Sequence, residues 1–234
     1  MELYIIRHGQ STNNALRSAV GRVQDAPLTE IGHRQAEALA QHLAAGPYPE
    51  SEWERRAGYE FDHLYCSAMQ RALQTAEPVG KALGLKPEVW VEVHEQGGIY
   101  LDSDDGRYIG FPGMTRAEIS ERFPDYVLPE SVTESGWWNN KTYEDVGAAA
   151  GRAIAVAEIL IERSQQGGER IALISHGMFV NLLIKALLNQ LPSATTYYHH
   201  YNTGISRIDI NPHAPLILRY LNRTAHLTPD LLTH

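Results

Sequence analysis

Leu3-Tyr4-Ile5-Ile6-Arg7-His8-Gly9-Gln10-Ser11 is an apolar, partly β-branched run that stops at an arginine, a histidine and a glycine. Ile171-Ala172-Leu173-Ile174-Ser175-His176-Gly177 repeats the pattern far downstream. Short unbroken apolar runs of this kind read as parallel strands buried on both faces, each ending at its carboxyl end. In an open α/β sheet, ligands bind outside those ends, where the strand order reverses. If the two runs are neighbouring strands, His8 and His176 meet in one crevice although 168 positions (176 minus 8) separate them. An Arg-His pair facing a second histidine suits an anionic substrate, so phosphate chemistry is the expectation.

Outward from these strands the chain alternates helical and extended patterns. Thr29 reads as the N-cap of a helix carrying Ala36, Leu39, Ala40 and Leu43, with Gly46-Pro47 as its stop. The polar segment 47–60 reads as a surface insertion. Phe61–Cys66 leads into a helix over Ala68–Leu83, with Ala72, Ala76, Val79 and Leu83 in a stripe. Val89, Val91 and Val93 alternate with Trp90 and Glu92, which predicts a strand ending at His94-Glu95. Residues 96–141 then change character, with an acidic turn at 102–106, a capping box Thr115-Arg116-Ala117-Glu118, and Trp137-Trp138. Emerging from a strand end, this insertion is placed to act as a lid. Tyr100, Tyr108, Trp137 and Trp138 either line a pocket under it or form its own small core. The longest helix starts near Thr142–Asp145 and presents Val146, Ala150, Ala153, Ala157, Leu160 and Ile161 on one face, ending at Gly167-Gly168. Residues 178–190 read as a buried helix, and 206–210 with 216–221 as a final pair of strands. Strands alternating with helices, without repeats or linkers, predict one α/β domain over residues 1–234.

Composition narrows the partners. With 234 residues the chain can bury a substantial core, and its formal net charge of −8 argues against nucleic-acid binding. An acidic protein that takes an anionic substrate must concentrate cations locally, so each arginine near a strand end counts. A single cysteine, Cys66, rules out internal disulfides and fits a reducing compartment. No apolar run approaches the ~18 residues of a membrane span. Met1-Glu2-Leu3-Tyr4 enters a strand directly, without the charged and apolar regions of a leader. The expectation is a soluble cytoplasmic protein with no membrane partner; its assembly state is open, a homodimer included.

Several phosphate motifs fail on inspection. There is no Gly-x-x-x-x-Gly-Lys loop. Cys66 and Arg71 are separated by four residues where a cysteine-phosphatase loop has five, which would break a closed anion cradle. Asp102-Ser103-Asp104 has Gly106 where an aspartyl-phosphate motif has Thr or Val, and reads as a solvated turn. No tight His/Cys/Asp/Glu cluster supports a metal, and neither metal nor cofactor is expected. His199-His200 reads as a surface or site-edge pair.

The ordered set Arg7-His8-Gly9-Gln10-Ser11, Asn14, Leu28-Thr29-x-x-Gly32-x-x-Gln35-Ala36, Ser67-x-x-x-Arg71-Ala72-x-Gln74-Thr75-Ala76, Glu95, Ser175-His176-Gly177 and Asn202–Ser206 resembles the histidine phosphatase superfamily, the clan that includes cofactor-dependent phosphoglycerate mutase. The resemblance implies a three-layer α/β/α sandwich, mostly parallel, whose last strand runs antiparallel at an edge. It implies that His8 attacks phosphorus and forms a phosphohistidine. Arg7, Arg71 and His176 would surround the phosphoryl oxygens, and Glu95 would protonate the leaving alkoxide. Asn14 and the Gly9 and Gly177 turns would add neutral donors, while Gln10, where mutases usually have Glu, would brace the loop.

Three activities fit that set: a phosphomonoesterase for a small metabolite, a mutase, or a phospho-ligand binder without turnover. Completeness of the nucleophile, clamp and acid disfavours the binder. Mutases resemble Glu-Arg-x-Tyr-Gly where this chain has Glu95-Gln96-Gly97-Gly98-Ile99, and Thr12 replaces a tryptophan. The paired-arginine segment of mutases is not recognisable in 96–141. Phosphomonoester hydrolysis is therefore the expectation, with mutase-type transfer as the alternative.

Overall fold

The computed structural model describes residues 1–45, 59–139, 141–193 and 195–234. Most of the segment 47–60 lies outside these. In chain order the elements are β1 (Glu2–Arg7), α1 (Glu30–Ala45), β2 (His63–Cys66), α2 (Gln70–Leu83), β3 (Glu88–Val89), β4 (Tyr100–Asp102), β5 (Tyr108–Gly110), α3 (Arg116–Arg122), α4 (Val146–Ser164), β6 (Arg170–Ser175), α5 (Gly177–Leu187), β7 (Ile205–Asp209) and β8 (Ile217–Arg223). Six strands form one sheet in the order β3-β2-β6-β1-β7-β8.

Alternation along the central strands builds two cores. Tyr4 and Ile6 of β1, with Ala172 and Ile174 of β6, pack against α1 and α2. Leu3, Ile5, Ile171 and Leu173 face the other way, onto α4 and α5. The result is the expected three-layer sandwich. β1 is followed by α1 on one face and β6 by α5 on the opposite face. Because β1 and β6 pair in parallel, with Arg7 opposite Ser175, a crevice opens between their carboxyl ends.

The reversal in the sheet arises one strand earlier than the resemblance implied. β7 runs antiparallel to β1, and β8, at the edge, is antiparallel to β7. β8 therefore runs in the same direction as the four parallel strands.

Local signals explain most element boundaries. Thr29 Oγ1 accepts the Gly32 N–H at 3.0 Å and starts α1. Thr115 and Glu118 form the predicted reciprocal capping box on α3. The helix expected from Ala68 begins at Gln70, after an extended Met69.

Two expectations are corrected. The valine alternation over 89–93 is not one strand: β3 has two residues and Val91–Val93 is a 3-10 turn. The ladder with β2 ends where Trp90 N donates to Cys66 O, and the backbone then turns on itself through His94 N to Val91 O. Val91 and Val93 are nonetheless buried in opposite cores, so the alternation recorded two-sided burial rather than strand pairing. In α4 the buried stripe is Ala149, Ala153, Val156, Leu160 and Ser164, flanked by Ala150 and Ala157. Val146 and Ile161 are exposed. The buried face of α4, mostly alanines with Val156 and Leu160, shares one core with α5.

The 96–141 insertion carries the β4–β5 hairpin, α3 and a loop whose Val127 bonds along β3 and covers the sheet edge. Trp137 and Trp138 are buried and join the α1/α2 core. Tyr108 is half exposed and stacks on Tyr143.

Candidate active site

His8 stands just beyond β1 with its backbone fixed on three sides. Its N–H donates to Ser175 O at 2.9 Å, and its carbonyl accepts Asn202 Nδ2 at 3.0 Å and Thr203 N at 3.3 Å. The imidazole Nδ1 lies 2.6 Å from Gly9 O. A carbonyl only accepts, so Nδ1 carries the proton. Nε2 then presents its lone pair, toward which Arg71 Nε–H points across 3.1 Å. Burial, with Arg71 and Arg7 nearby, holds His8 well below the ordinary histidine range and keeps it neutral at pH 7.

His176 begins α5 on the neighbouring strand end, its ring centroid 4.9 Å from that of His8. It is fully buried, and neither ring nitrogen has a hydrogen-bond partner. Burial, Arg71 and His8 keep it neutral as well. Arg7 Nη1 donates to His200 O at 2.6 Å, while its buried Nε has no partner. Orphaned buried donors of this kind suit an anionic guest.

Glu95 follows the 3-10 turn. Its carboxylate accepts Phe179 N at 3.0 Å, Met178 N at 3.3 Å and Gln96 N at 3.0 Å, capping α5 from outside the helix. Arg7, His8, Arg71, Glu95 and Asn14 line one cleft of about 230 Å³. Asn14 Oδ1 accepts from Ser11 N and Ser11 Oγ, which leaves its amide nitrogen as the donor. Gly177 is the first residue of α5, where a Cβ would come within 3.4 Å of Arg7 Nε.

Some assignments change. The Gly9 N–H is engaged by Thr75 Oγ1 at 3.0 Å and is not a donor to the cleft. A Cβ at Gly9 would come within 2.7 Å of Gly32 O, so glycine is needed there for close approach to α1. Gln10 does brace the loop, accepting Thr29 Oγ1–H at 2.8 Å. Of the two readings of His200, the site-edge one holds and the surface one does not: it is buried, its Nε2 on Ser206 Oγ, and its carbonyl anchors Arg7. Cys66 is buried and burial pushes its thiol up, so it is no nucleophile.

Sequence reasoning missed Arg22, Gln24, Gln96 and Asp25. Arg22, Gln24 and Gln96 line the cleft alongside Tyr100. Asp25 lies against Arg71 and accepts the Gln70 N–H. No local pattern marks these residues, because long-range folding brings them in. Among the described residues, no group of three or more His, Cys, Asp or Glu side chains is placed to hold a metal ion, and no helix is long and apolar enough to cross a membrane.

An α/β sandwich with two neutral imidazoles at adjacent parallel strand ends, and the partly buried guanidiniums of Arg7 and Arg71 beside them, defines a phosphoryl-handling class of fold. Residues 3–223 match the family model of the histidine phosphatase superfamily (branch 1), and the chain belongs to that superfamily. The probable phosphoglycerate mutase GpmB of Yersinia enterocolitica is 26% identical over 231 residues, covering 97% of this chain and 95% of the relative. Among solved structures, a phosphoserine phosphatase mutant from Entamoeba histolytica in complex with phosphoserine has a TM-score of 0.60 at 21% identity, covering 97% of this chain and 99% of its own. A mycobacterial glucosyl-3-phosphoglycerate phosphatase has a TM-score of 0.59 at 20% identity, covering 95% and 99%. These two structures establish the shared fold.

Proposed function

We propose that the protein is a phosphomonoesterase acting on a small phosphorylated metabolite through a phosphohistidine on His8. The carrying observation is the His8 tautomer: Nδ1–H on Gly9 O leaves Nε2 unprotonated, facing the arginine-lined cleft. In the first step the Nε2 lone pair forms the N–P bond, and the ester P–O bond breaks with its electron pair on the leaving oxygen. A protonated Glu95 gives that oxygen its proton. Arg7, Arg71 and His176 stabilise the charge on the equatorial oxygens, with the Asn14 amide as a neutral donor. In the second step water attacks phosphorus, Glu95 accepts its proton, and the N–P electron pair returns to Nε2. The insertion 96–141 roofs the cleft through Gln96, Gly98 and Tyr100.

Hydrolysis is favoured over mutase transfer by where the insertion's arginines go. Arg107 pairs with Asp105, Arg116 donates to Val132 O and Pro129 O, and Arg122 lies against Met114 Sδ at 3.8 Å; none of the three lines the cleft. A mutase must retain its intermediate against water, and cationic contacts from a lid serve that purpose. The mutase reading draws on the GpmB relative. The test is a panel of phosphomonoesters assayed with and without bisphosphoglycerate. Release of inorganic phosphate independent of bisphosphoglycerate is expected. Bisphosphoglycerate-dependent isomerisation of a phosphoglycerate faster than phosphate release would establish the mutase instead.

A further inference from the structure

The catalytic clamp has a counter-charge of its own. Asp25 belongs to the loop between β1 and α1, yet its side chain is only 10% exposed. Both carboxylate oxygens accept the N–H of Gln70, the first residue of α2, at 3.1 and 3.3 Å. Arg71, the next residue, brings Nη1 to 3.9 Å from Asp25 Oδ1, an ion-pair distance. The other sides of that guanidinium are also held, Nε at 3.1 Å from His8 Nε2 and Nη2 at 3.1 Å from Met69 Sδ. A guanidinium is a rigid planar fork, so fixing one nitrogen sets the direction of the rest. We propose that Asp25 is a positioning residue that fixes the Arg71 fork, keeping its Nε edge turned to His8 Nε2 and to the phosphoryl group transferred there. This rests on the reading of His8 as phosphoryl acceptor.

The groups that face Asp25 are Arg71 and the Gln70 N–H of α2, with Arg122 of α3 further off; Arg22, on its own loop, acts on Arg71. Burial pushes Asp25 up to about 6 despite those cations. His8 and His176 stay well below the ordinary histidine range. Asp25, behind Arg71 and outside the reaction path, is thus a carboxylate that gains a proton near pH 6. Protonation removes the counter-charge and releases the fork, so activity falls on the acid side through Asp25.

The experiment compares wild type with Asp25→Asn, Asp25→Glu and Arg122→Gln in pH–rate profiles, with binding of inorganic phosphate measured by calorimetry. Substrate phosphate also titrates near pH ~6, but identically for every variant, so differences between profiles isolate the protein group. Asp25→Asn retains an acceptor for Gln70. It is expected to lose about 10- to 100-fold in kcat, the scale of a misplaced clamp, together with the variant-specific part of the acid limb. Asp25→Glu is expected to recover part of both. Removing the Arg122 charge is expected to move the limb to higher pH. A folded Asp25→Asn protein with wild-type kcat and profile overturns the proposal. If Asp25→Asn does not fold, an acid limb unmoved in Arg122→Gln overturns it. Phosphate affinity distinguishes the two readings. A wild type that binds phosphate but forms no phosphohistidine refutes His8 as acceptor, while an affinity equal in wild type and Asp25→Asn refutes the role of Asp25.

Discussion

Arg71 Nε–H points at the Nε2 lone pair of His8 across 3.1 Å, while the other ring nitrogen is bound to Gly9 O at 2.6 Å. The cation holds the lone pair in the direction of the cleft and disfavours its protonation.

On the proposed mechanism, phosphate is expected on Nε2 and not on Nδ1. His8→Ala is expected to abolish turnover and acid-labile phosphate incorporation, while His176→Ala slows turnover and still traps some phosphate. Nitrogen-15 spectra of the trapped protein report which nitrogen is substituted. Labelling retained in His8→Ala, or an Nδ1 adduct, contradicts the geometry.

Glu95 caps α5, and its proposed role as general acid has to be separated from that. As general acid it matters most for poor leaving groups, so Glu95→Gln is expected to slow an alkyl phosphate by about 10²- to 10⁴-fold and a nitrophenyl phosphate far less. Gln keeps an acceptor for the Phe179 N–H, whereas Glu95→Ala leaves the end of α5 uncapped and is expected to cost about 1 kcal/mol in urea denaturation. Equal kinetic losses on both substrates would assign the acid elsewhere.

Buried neutral histidines contribute to the loss of stability in acid. Burial and neighbouring His42 hold His226 down at about 3, and burial holds His200 at about 4. Folded values below the unfolded ~6.5 mean that, as pH falls, the unfolded chain binds these protons first. Stability is therefore complete above about pH 6.5 and declines toward pH 4 and below. Urea midpoints measured from pH 7 to pH 4 are expected to fall, and less steeply in His226→Gln. Parallel curves for the two proteins would contradict this.

The insertion is keyed to the core at Gly98. Its φ is +74°, and a Cβ there would come within 2.2 Å of the Trp138 ring. Gly98→Ala is expected to destabilise by about 1–3 kcal/mol and to alter tryptophan fluorescence. An unchanged urea midpoint would show that the insertion is not packed through this contact.

What the sequence revealed was whatever is encoded locally. The apolar runs into His8 and His176, the Thr29 cap, the Thr115/Glu118 capping box and the acidic hairpin turn each carry their signal within a few residues. Asp25 does not, because its partners lie 45 residues away on α2. The reading of His199-His200 as a surface or site-edge pair stays open because nothing in the local sequence indicates that Ser206 and Arg7 close around His200. The valines at 91 and 93 have a strand's periodicity without a strand's partner. Sequence reports burial, and only tertiary structure supplies the neighbour.

β1 is hydrogen-bonded on both sides, to β6 and to β7. The proposed nucleophile therefore follows a strand paired along both edges, and the Ile5 and Ile6 amides are expected to exchange with deuterium only when the whole molecule unfolds. The β4–β5 hairpin, three residues a side with Ile109 half exposed, belongs to the opposite extreme and exchanges through local excursions. Warming is therefore expected to loosen this hairpin before it reaches the strand that carries His8. Hydrogen exchange measured against temperature is expected to separate the opening of the hairpin from that of β1.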